Sequence, residues 1–403
     1  MRFAVNAHLL SFGQNYRGAG ISRYILNLVA HLPDALGGDS ATIFLGDRRL
    51  PSNLAKLPLD YSFSRIPTAR PQARILWEQL VAPLACARAG VQLLHSTAYV
   101  QPLLCPTRSV VTIHDLSFIL MPETFKRGNQ LYLSALTRIS ARRADRVIAV
   151  SENTRQDVIR LLGVTPSKVE VVHHGIEPEF RPIEPSVVEG FRRRRGLPDR
   201  YVLHLGTLEP RKNLPTLLRA FAQARREYGL SHELVLGGGK GWGYQQIFDL
   251  VDSLGLKGKV HFPGFVPLAE LPLWYNGASL FAYPSRYEGF GMPPLEAMAC
   301  GTPVLTSSRS SLPEVLGGAG LLVDPDSVPA LADELGRVLG DEARLADLRE
   351  RGLRRAATFS WNETARRTVR IYRQAAGGRL SSTADAAESS HAPNGEQTEA
   401  LDR

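Results

Sequence analysis

The chain has 403 residues, 44% hydrophobic and 22% charged, which excludes a disordered chain and leaves room for two domains of ordinary size. Its formal net charge of +9 favours anionic partners such as sugar nucleotides, lipid-linked phosphates, acidic membrane surfaces or nucleic acid, although a solvated basic surface gives the same total. Three cysteines, odd in number and far apart, exclude a disulfide framework and any zinc spacing and point to a reducing, cytoplasmic compartment.

The opening stretch MRFAVNAHLL is too short and too polar for a signal peptide and reads as a first strand over 3–7. A loop with Gly18 and Gly20 follows. Then Ile21, Ile25, Leu28, Val29 and Leu32 mark one face of a helix. The dinucleotide fingerprint would need a third glycine where Arg23 stands, so that match fails. What remains is a flexible loop able to bring backbone amides to a phosphate. Further apolar runs at 42–46, 110–115, 146–151 and 169–176 read as strands, with helical patterns between them. None reaches the roughly 18 residues of a spanning helix, so any membrane contact is peripheral.

The run over 110–115 ends in His114-Asp115. At the carboxyl end of a buried strand such a pair can bond sugar hydroxyls or position an acceptor, though a histidine beside a strand is often structural. Beyond it, EPEFRPIEPSVVEGFRRRRGLP is rich in proline and charge, has no strand pattern, and marks a break near 178–198. The arginine run 192–195 reads as a solvated helix face, with contact to lipid phosphate as the alternative.

After the break the scheme restarts, with strands at 201–206, 233–238, 260–264, 279–284 and 303–307. Strands that are apolar almost throughout and alternate with helices belong to buried parallel sheets. Two such series predict an α/β chain of two Rossmann-like domains facing each other. In HLGTLEPRKNLPTLLRAF a strand ends at Gly206 and a helix begins near Asn213, with Arg211 and Lys212 between them. Cations at a sheet crest suit a diphosphate: the arginine can bind two oxygens and the lysine acts as a point charge. Ordinary solvated cations are the alternative. LGGGKGWG has Gly241 after Lys240 where a Walker loop needs Ser or Thr, and fails that pattern.

The densest stretch is SRYEGFGMPPLEAMACGTPVL. It reads as strand, glycine-rich loop with Gly289 and Gly291, then a short helix with Pro293 and Pro294 in its first turn and Gly301 at its end. The helix start offers free amides to a phosphate. Glu288 in the loop and Glu296 in the helix would be repelled by that phosphate unless they take sugar or ribose hydroxyls; Glu296 capping helix amides is the alternative. No His or mixed Cys/His cluster suggests a metal. Ser360-Trp361-Asn362-Glu363 matches a capping box for a last helix to about 375, with Trp361, Ala365, Val369 and Tyr372 as its apolar stripe. From 377 the polar tail lacks the apolar residues to order itself.

These segments together resemble the retaining glycosyltransferases of the GT-B fold, family 4. The resemblance rests on Glu288 to Glu296 as E-x7-E, on Gly206 to Asn213 as G-x4-RKN, and on VSENTRQDV, VVHHGIEPEF and VHFPGFVPLAELPLWYNGASLFAYPS. LWEQL and TIHDLSF look most like bacterial mannosyltransferases that build surface polysaccharide such as lipopolysaccharide. The resemblance implies an acceptor domain over 1–180, a linker over 181–198, a nucleotide-sugar domain over 199–360, a helix over 361–376 crossing back to the first domain, and a disordered tail over 377–403. It implies that Arg211 and Lys212 hold the donor diphosphate and that Glu288 binds the donor sugar, with the backbone of Gly289, Phe290 and Gly291. It further implies Glu296 on the ribose, the Val266 loop at the base, Gly20 or Gly18 at the phosphate beside Gly206, and His114 near the transferred sugar, with Asp115 as a sugar or acceptor contact. The implied co-substrate is a nucleotide sugar, GDP-mannose by preference, with no metal and no resident cofactor. The acceptor would be a saccharide or lipid-linked, with peripheral contact to an anionic membrane. A UDP-sugar donor and a sugar-nucleotide 2-epimerase are the alternatives. A nucleic-acid binder would need interleaved aromatic and basic residues, which are missing.

Overall fold

The computed structural model describes residues 1–11, 20–46, 50–125, 127–239, 241 and 244–377. Gly18, Lys240 and the tail from 378, each considered above, lie outside the described residues. Two sheets organise the rest. The first has seven strands in the order β3-β2-β1-β4-β5-β6-β7. They are β1 Arg2–Asn6, β2 Ser40–Leu45, β3 Asp60–Phe63, β4 Leu93–Ser96, β5 Arg108–Ile113, β6 Arg146–Ala149 and β7 Val169–Val171. The second has six, in the order β10-β9-β8-β11-β12-β13. They are β8 Tyr201–Leu205, β9 Glu233–Gly237, β10 Val260–Gly264, β11 Leu280–Tyr283, β12 Val304–Ser307 and β13 Leu321–Val323. Every ladder is parallel. β8, β11 and β12 are buried at every residue, as strands covered on both faces must be.

Three strands escape the sequence pattern. β4 is central and wholly buried, but its four residues LLHS place His95 and Ser96 where an apolar run would continue. His95 is tolerated because Tyr372 Oη lies 2.6 Å from its Nδ1 and Thr112 Oγ1 2.8 Å from its Nε2. β3 and β13 sit at sheet edges, are four and three residues long, and carry exposed positions.

The break over 181–198 contains a helix, Pro185–Arg195, entered through a proline and closed by Gly196. Its arginines are answered at the surface: Arg192 by Asp199, Arg193 by Glu189, Arg195 by Glu270. That arrangement favours the solvated-face reading.

The last helix, Trp361–Ala375, packs on Ile21–Leu36 of the first domain, burying Ala365, Val369, Ile371 and Tyr372 among Phe3, Ile25 and Leu28. Val369 and Ile371 each contribute about 1.5–3 kcal/mol by leaving water. The expected capping box is not made: Ser360 forms no side-chain cap. Instead the Thr364 hydroxyl donates to the carbonyls of Ser360 and His173, tying the helix start to the chain that follows β7.

Candidate active site

β11 delivers the chain to the loop 284–291, and the Met292–Ala299 helix begins directly after it, with Pro293 and Pro294 in its first turn. Ser311 Oγ donates to the carbonyls of Glu288 and Phe290, and Ser310 Oγ accepts from the Glu288 amide. These bonds fix the loop. The amides of Gly289, Phe290 and Gly291 have no acceptor among the described residues. Three consecutive free N–H groups at a helix start are donors suited to an anion.

Glu288 is the hub. Its Oε1 receives Lys212 Nζ at 2.6 Å, Ser285 Oγ at 2.6 Å and Tyr283 Oη at 3.0 Å, and its Oε2 receives the Arg211 guanidinium at 2.9 Å. Burial alone would raise its pKa, yet Arg211 and Lys212 hold it at about 2. Burial and the neighbouring guanidinium pull the Lys212 ammonium below its ordinary value, with Glu288 opposing them.

The two cations sit in a 3-10 turn, Pro210–Lys212, between β8 and the Leu214–Tyr228 helix. Asn213 closes that turn in the left-handed region, φ 58°, which asparagine tolerates better than most residues. Its side chain donates to the Pro325 carbonyl and accepts from Thr216, so the RKN triplet is locked at both ends. The Arg211 carbonyl in turn accepts from Arg286 N and Ser285 Oγ, joining the cation turn to the glutamate loop. Gly238, directly after β9, has a packing cause: a Cβ there would lie 1.8 Å from the Gly206 carbonyl.

Glu296 is 2% exposed and accepts from Tyr275 Oη at 2.7 Å. Its other oxygen meets Arg23, from the first domain, at 2.5 Å. Arg23 also pairs with Glu177 at 2.7 Å. Despite burial, these two carboxylates hold the guanidinium above its ordinary pKa. Gly20, Gly206, Val266 and Glu296 all line one cavity of about 230 Å³ between the domains, with Arg23 on its wall.

On the facing crest, His114 directly follows β5 and its Nε2 lies 2.8 Å from the Thr97 carbonyl, which sets that nitrogen as the donor. Burial lowers its pKa to about 4, so the ring is neutral. The domains touch here: a Cβ on Gly289 would fall 1.6 Å from the His114 carbonyl. The glycine thus admits the opposite domain, where closeness to a ligand was expected. Gly289 O also accepts from Ser151 and Thr154. Phe290 is buried among His174, His173 and Phe359, so its side chain serves packing. Gly291 is the residue that starts the helix, at φ 109°.

The structure thus gathers Arg211, Lys212 and Glu288 in one hydrogen-bonded cluster, and Gly20, Gly206, Val266 and Glu296 in one cavity. His114 lies across from the cluster, and Asp115 lines a second cavity with Arg211. Sequence reasoning missed Arg23, Tyr283, Ser285, Tyr275 and Glu209. Tyr283 and Ser285 had a signal, since they flank the end of a crest strand. Arg23 had only its place one turn past Gly20.

Two family models cover most of the chain. "Glycosyltransferase Family 4" matches residues 18–180 and "Glycosyl transferases group 1" matches 189–355. The O-antigen chain mannosyltransferase B of Escherichia coli is 34% identical over 267 residues, 66% of this chain and 70% of that protein. The chain belongs to the group 1, family 4 glycosyltransferases. A serotype-specific mannosyltransferase WbdA of Escherichia coli is 32% identical, but this glycosyltransferase spans only 32% of its length. The solved structure of Anabaena Alr3699/HepE with UDP and glucose overlays at a TM-score of 0.69, covering 92% of this glycosyltransferase and 98% of that chain at 21% identity. That likeness confirms the GT-B fold. No helix among the described residues is long and apolar enough to cross a membrane.

Proposed function

We propose that this glycosyltransferase moves a hexose, mannose by preference, from a nucleotide diphosphate sugar to a saccharide or lipid-linked acceptor, with retention at the anomeric carbon. One observation carries the reading. The carboxylate of Glu288 is clasped by Lys212 and Arg211 directly beside three unpaired amides at a helix start. The amides and cations match a diphosphate, and the carboxylate matches sugar hydroxyls. Glu296, in the neighbouring cavity, matches a ribose, and the Val266 loop a base. In this reading the 1–180 domain carries the acceptor and the 199–360 domain the donor.

The chemistry asked of the protein is electrostatic. The bond from the anomeric carbon to the diphosphate breaks, and charge grows on the departing oxygen. Arg211, Lys212 and the helix-start amides stabilise that charge in a closed, low-dielectric site. The acceptor hydroxyl attacks the same face and passes its proton to the departing phosphate oxygen. His114, neutral, donates to a backbone carbonyl and shapes the sugar side of the site. Water is kept out by the contact of Gly289 with His114.

The mannosyltransferase relatives support GDP-mannose. HepE, solved with UDP and glucose, supports a UDP-sugar as the second reading. Thermal shift with GDP-, UDP- and ADP-sugars, followed by radiolabel transfer, decides between them. A chain that no nucleotide sugar stabilises is not acting as proposed.

Peripheral contact with an anionic membrane is the second part of the proposal. Leu76, Leu80 and Leu84 are 50%, 61% and 57% exposed at every fourth position of the helical segment 71–89. Leu104, 79% exposed, lies close by, since Gln79 bonds Leu103, and Arg143 donates to the Leu103 carbonyl. Apolar side chains beside an arginine-bearing helix suit the interface of an anionic bilayer.

A further inference from the structure

A second cavity, of about 270 Å³, opens beside Arg211 on the first-domain side. One wall is apolar: Tyr99, Phe118, Phe125 and Leu133. The rings interlock edge to face, Tyr99 on Phe118 at 5.6 Å and Phe118 on Phe125 at 6.4 Å. The other wall is polar and carries Asp115 and Glu209.

Two features mark this cavity as built for a ligand. Tyr99 has φ 57°, in the left-handed region that a bulky aromatic residue avoids. Such a backbone persists only where its surroundings over-determine it, and the strain concentrates at binding sites. The Tyr99 amide is pinned on the Thr112 carbonyl at 2.9 Å, which holds the ring on the cavity wall. The second feature is the state of the acidic groups. Asp115 Oδ1 takes both the amide and the hydroxyl of Ser117, at 3.0 and 2.8 Å. Its Oδ2 has no partner among the described residues. Glu209 is held by Arg211 through Oε1 alone. Each carboxylate is therefore fixed by one oxygen and offers the other.

The charge around the cavity is set as well. Arg211 makes four bonds, to Glu209, Glu288 and the Tyr287 carbonyl, which leaves one of its five N–H donors over. Of the residues that line this cavity, Asp115 and Glu209 carry two negative charges against the single positive one of Arg211, while Lys212 and the helix-start amides lie outside its lining. An anion entering from this side meets net repulsion, whereas hydroxyl donors meet free acceptors and C–H groups meet rings.

We propose that this cavity holds the terminal sugar of the acceptor, that this sugar is uncharged, and that Tyr99 and Asp115 select it. The proposal rests on the donor reading above. In the reaction the acceptor hydroxyl forms its bond to the donor's anomeric carbon as the bond to phosphate breaks, and its proton leaves on the phosphate. No redox step is involved.

The test is equilibrium binding, without donor, of uncharged octyl glycosides of mannose, glucose, galactose and N-acetylglucosamine to the full chain, each beside its 6-phosphate. At least one neutral glycoside should bind, with its phosphate about tenfold weaker or more. Tyr99→Gly relieves the left-handed backbone but gives up the ring's packing on Phe118 and His114, so it should melt below the parent. Its nucleotide-sugar thermal shift shows that it is folded, and it should lose glycoside binding about tenfold. Asp115→Asn should narrow the gap between neutral and phosphorylated ligands. The thermal shift given by nucleotide sugars should be retained in Tyr99→Gly. Absence of neutral-glycoside binding, equal binding of the phosphates, or full binding by Tyr99→Gly would overturn the proposal. Loss of the nucleotide-sugar shift in the parent would instead overturn the donor reading, because the glycoside measurement uses no donor.

Discussion

The Lys212 ammonium lies 2.6 Å from a Glu288 oxygen, with only 9% and 10% of the two side chains exposed. Removing one member leaves the other's charge buried and only partly answered. We expect Lys212→Met to lower stability by about 3 kcal/mol and transfer by about 10²–10³-fold. Adding Glu288→Gln should restore much of the melting temperature and none of the transfer. Melting curves and radiolabel transfer read the two effects separately. A double variant that transfers sugar at the parent rate would remove the pair from the reaction.

Arg23 reaches across the domain boundary to Glu296, 273 positions away in sequence. A ribose hydroxyl arriving at Glu296 must share or displace that guanidinium. Arg23→Met should leave the buried Glu296 and the partly buried Glu177 without their cation and cost about 3 kcal/mol. It should also change the affinity for GDP or UDP, measured by calorimetry, more than it changes the turnover of saturated enzyme. Equal affinity in parent and variant would show that Glu296 meets no nucleotide.

The site is legible where chemistry and local backbone coincide. Arg211, Lys212, Glu288 and Glu296 stand at strand ends and helix starts, and each sits in a pattern a few residues long. Arg23, Tyr275 and Tyr283 earn their places only through tertiary contact. So does β4, where His95 interrupts the apolar run and is satisfied by Tyr372, 277 residues on. Gly238 and Gly289 are visible in the sequence as glycines, but the reason for each is a neighbouring carbonyl that no local window contains.

Glu78 gives a pH prediction. It is 8% exposed, and burial raises its pKa to about 7, against weaker opposition from Arg74 and Asn6. A carboxyl that holds its proton more tightly when folded stabilises the fold less as pH rises. The loss begins at the ordinary value near 4.5 and is complete above about 7. Glu78→Gln should therefore be the more stable form at pH 8, by roughly 2–3 kcal/mol, and about equal to the parent at pH 4. Melting temperatures of both at several pH values check the sign. A gap that widens on acidification would contradict it.

The leucine ridge makes a separate claim. Leu80→Glu with Leu84→Glu should weaken co-sedimentation with phosphatidylglycerol vesicles about tenfold or more, as should raising salt. Both side chains already face solvent, so the melting temperature should move little. Undiminished vesicle binding by the double variant would assign the ridge another purpose.

The Trp361–Ala375 helix completes the core that holds Phe3, Ile25 and Leu28. On the ribosome, that first lobe emerges long before its lid is made. At ~5–20 residues per second, roughly 10–40 s of translation separate the two. For that interval the nascent lobe presents an uncovered greasy groove, so its maturation is bound to the arrival of the final helical segment. Anything that halts synthesis late will release a half-finished, sticky protein.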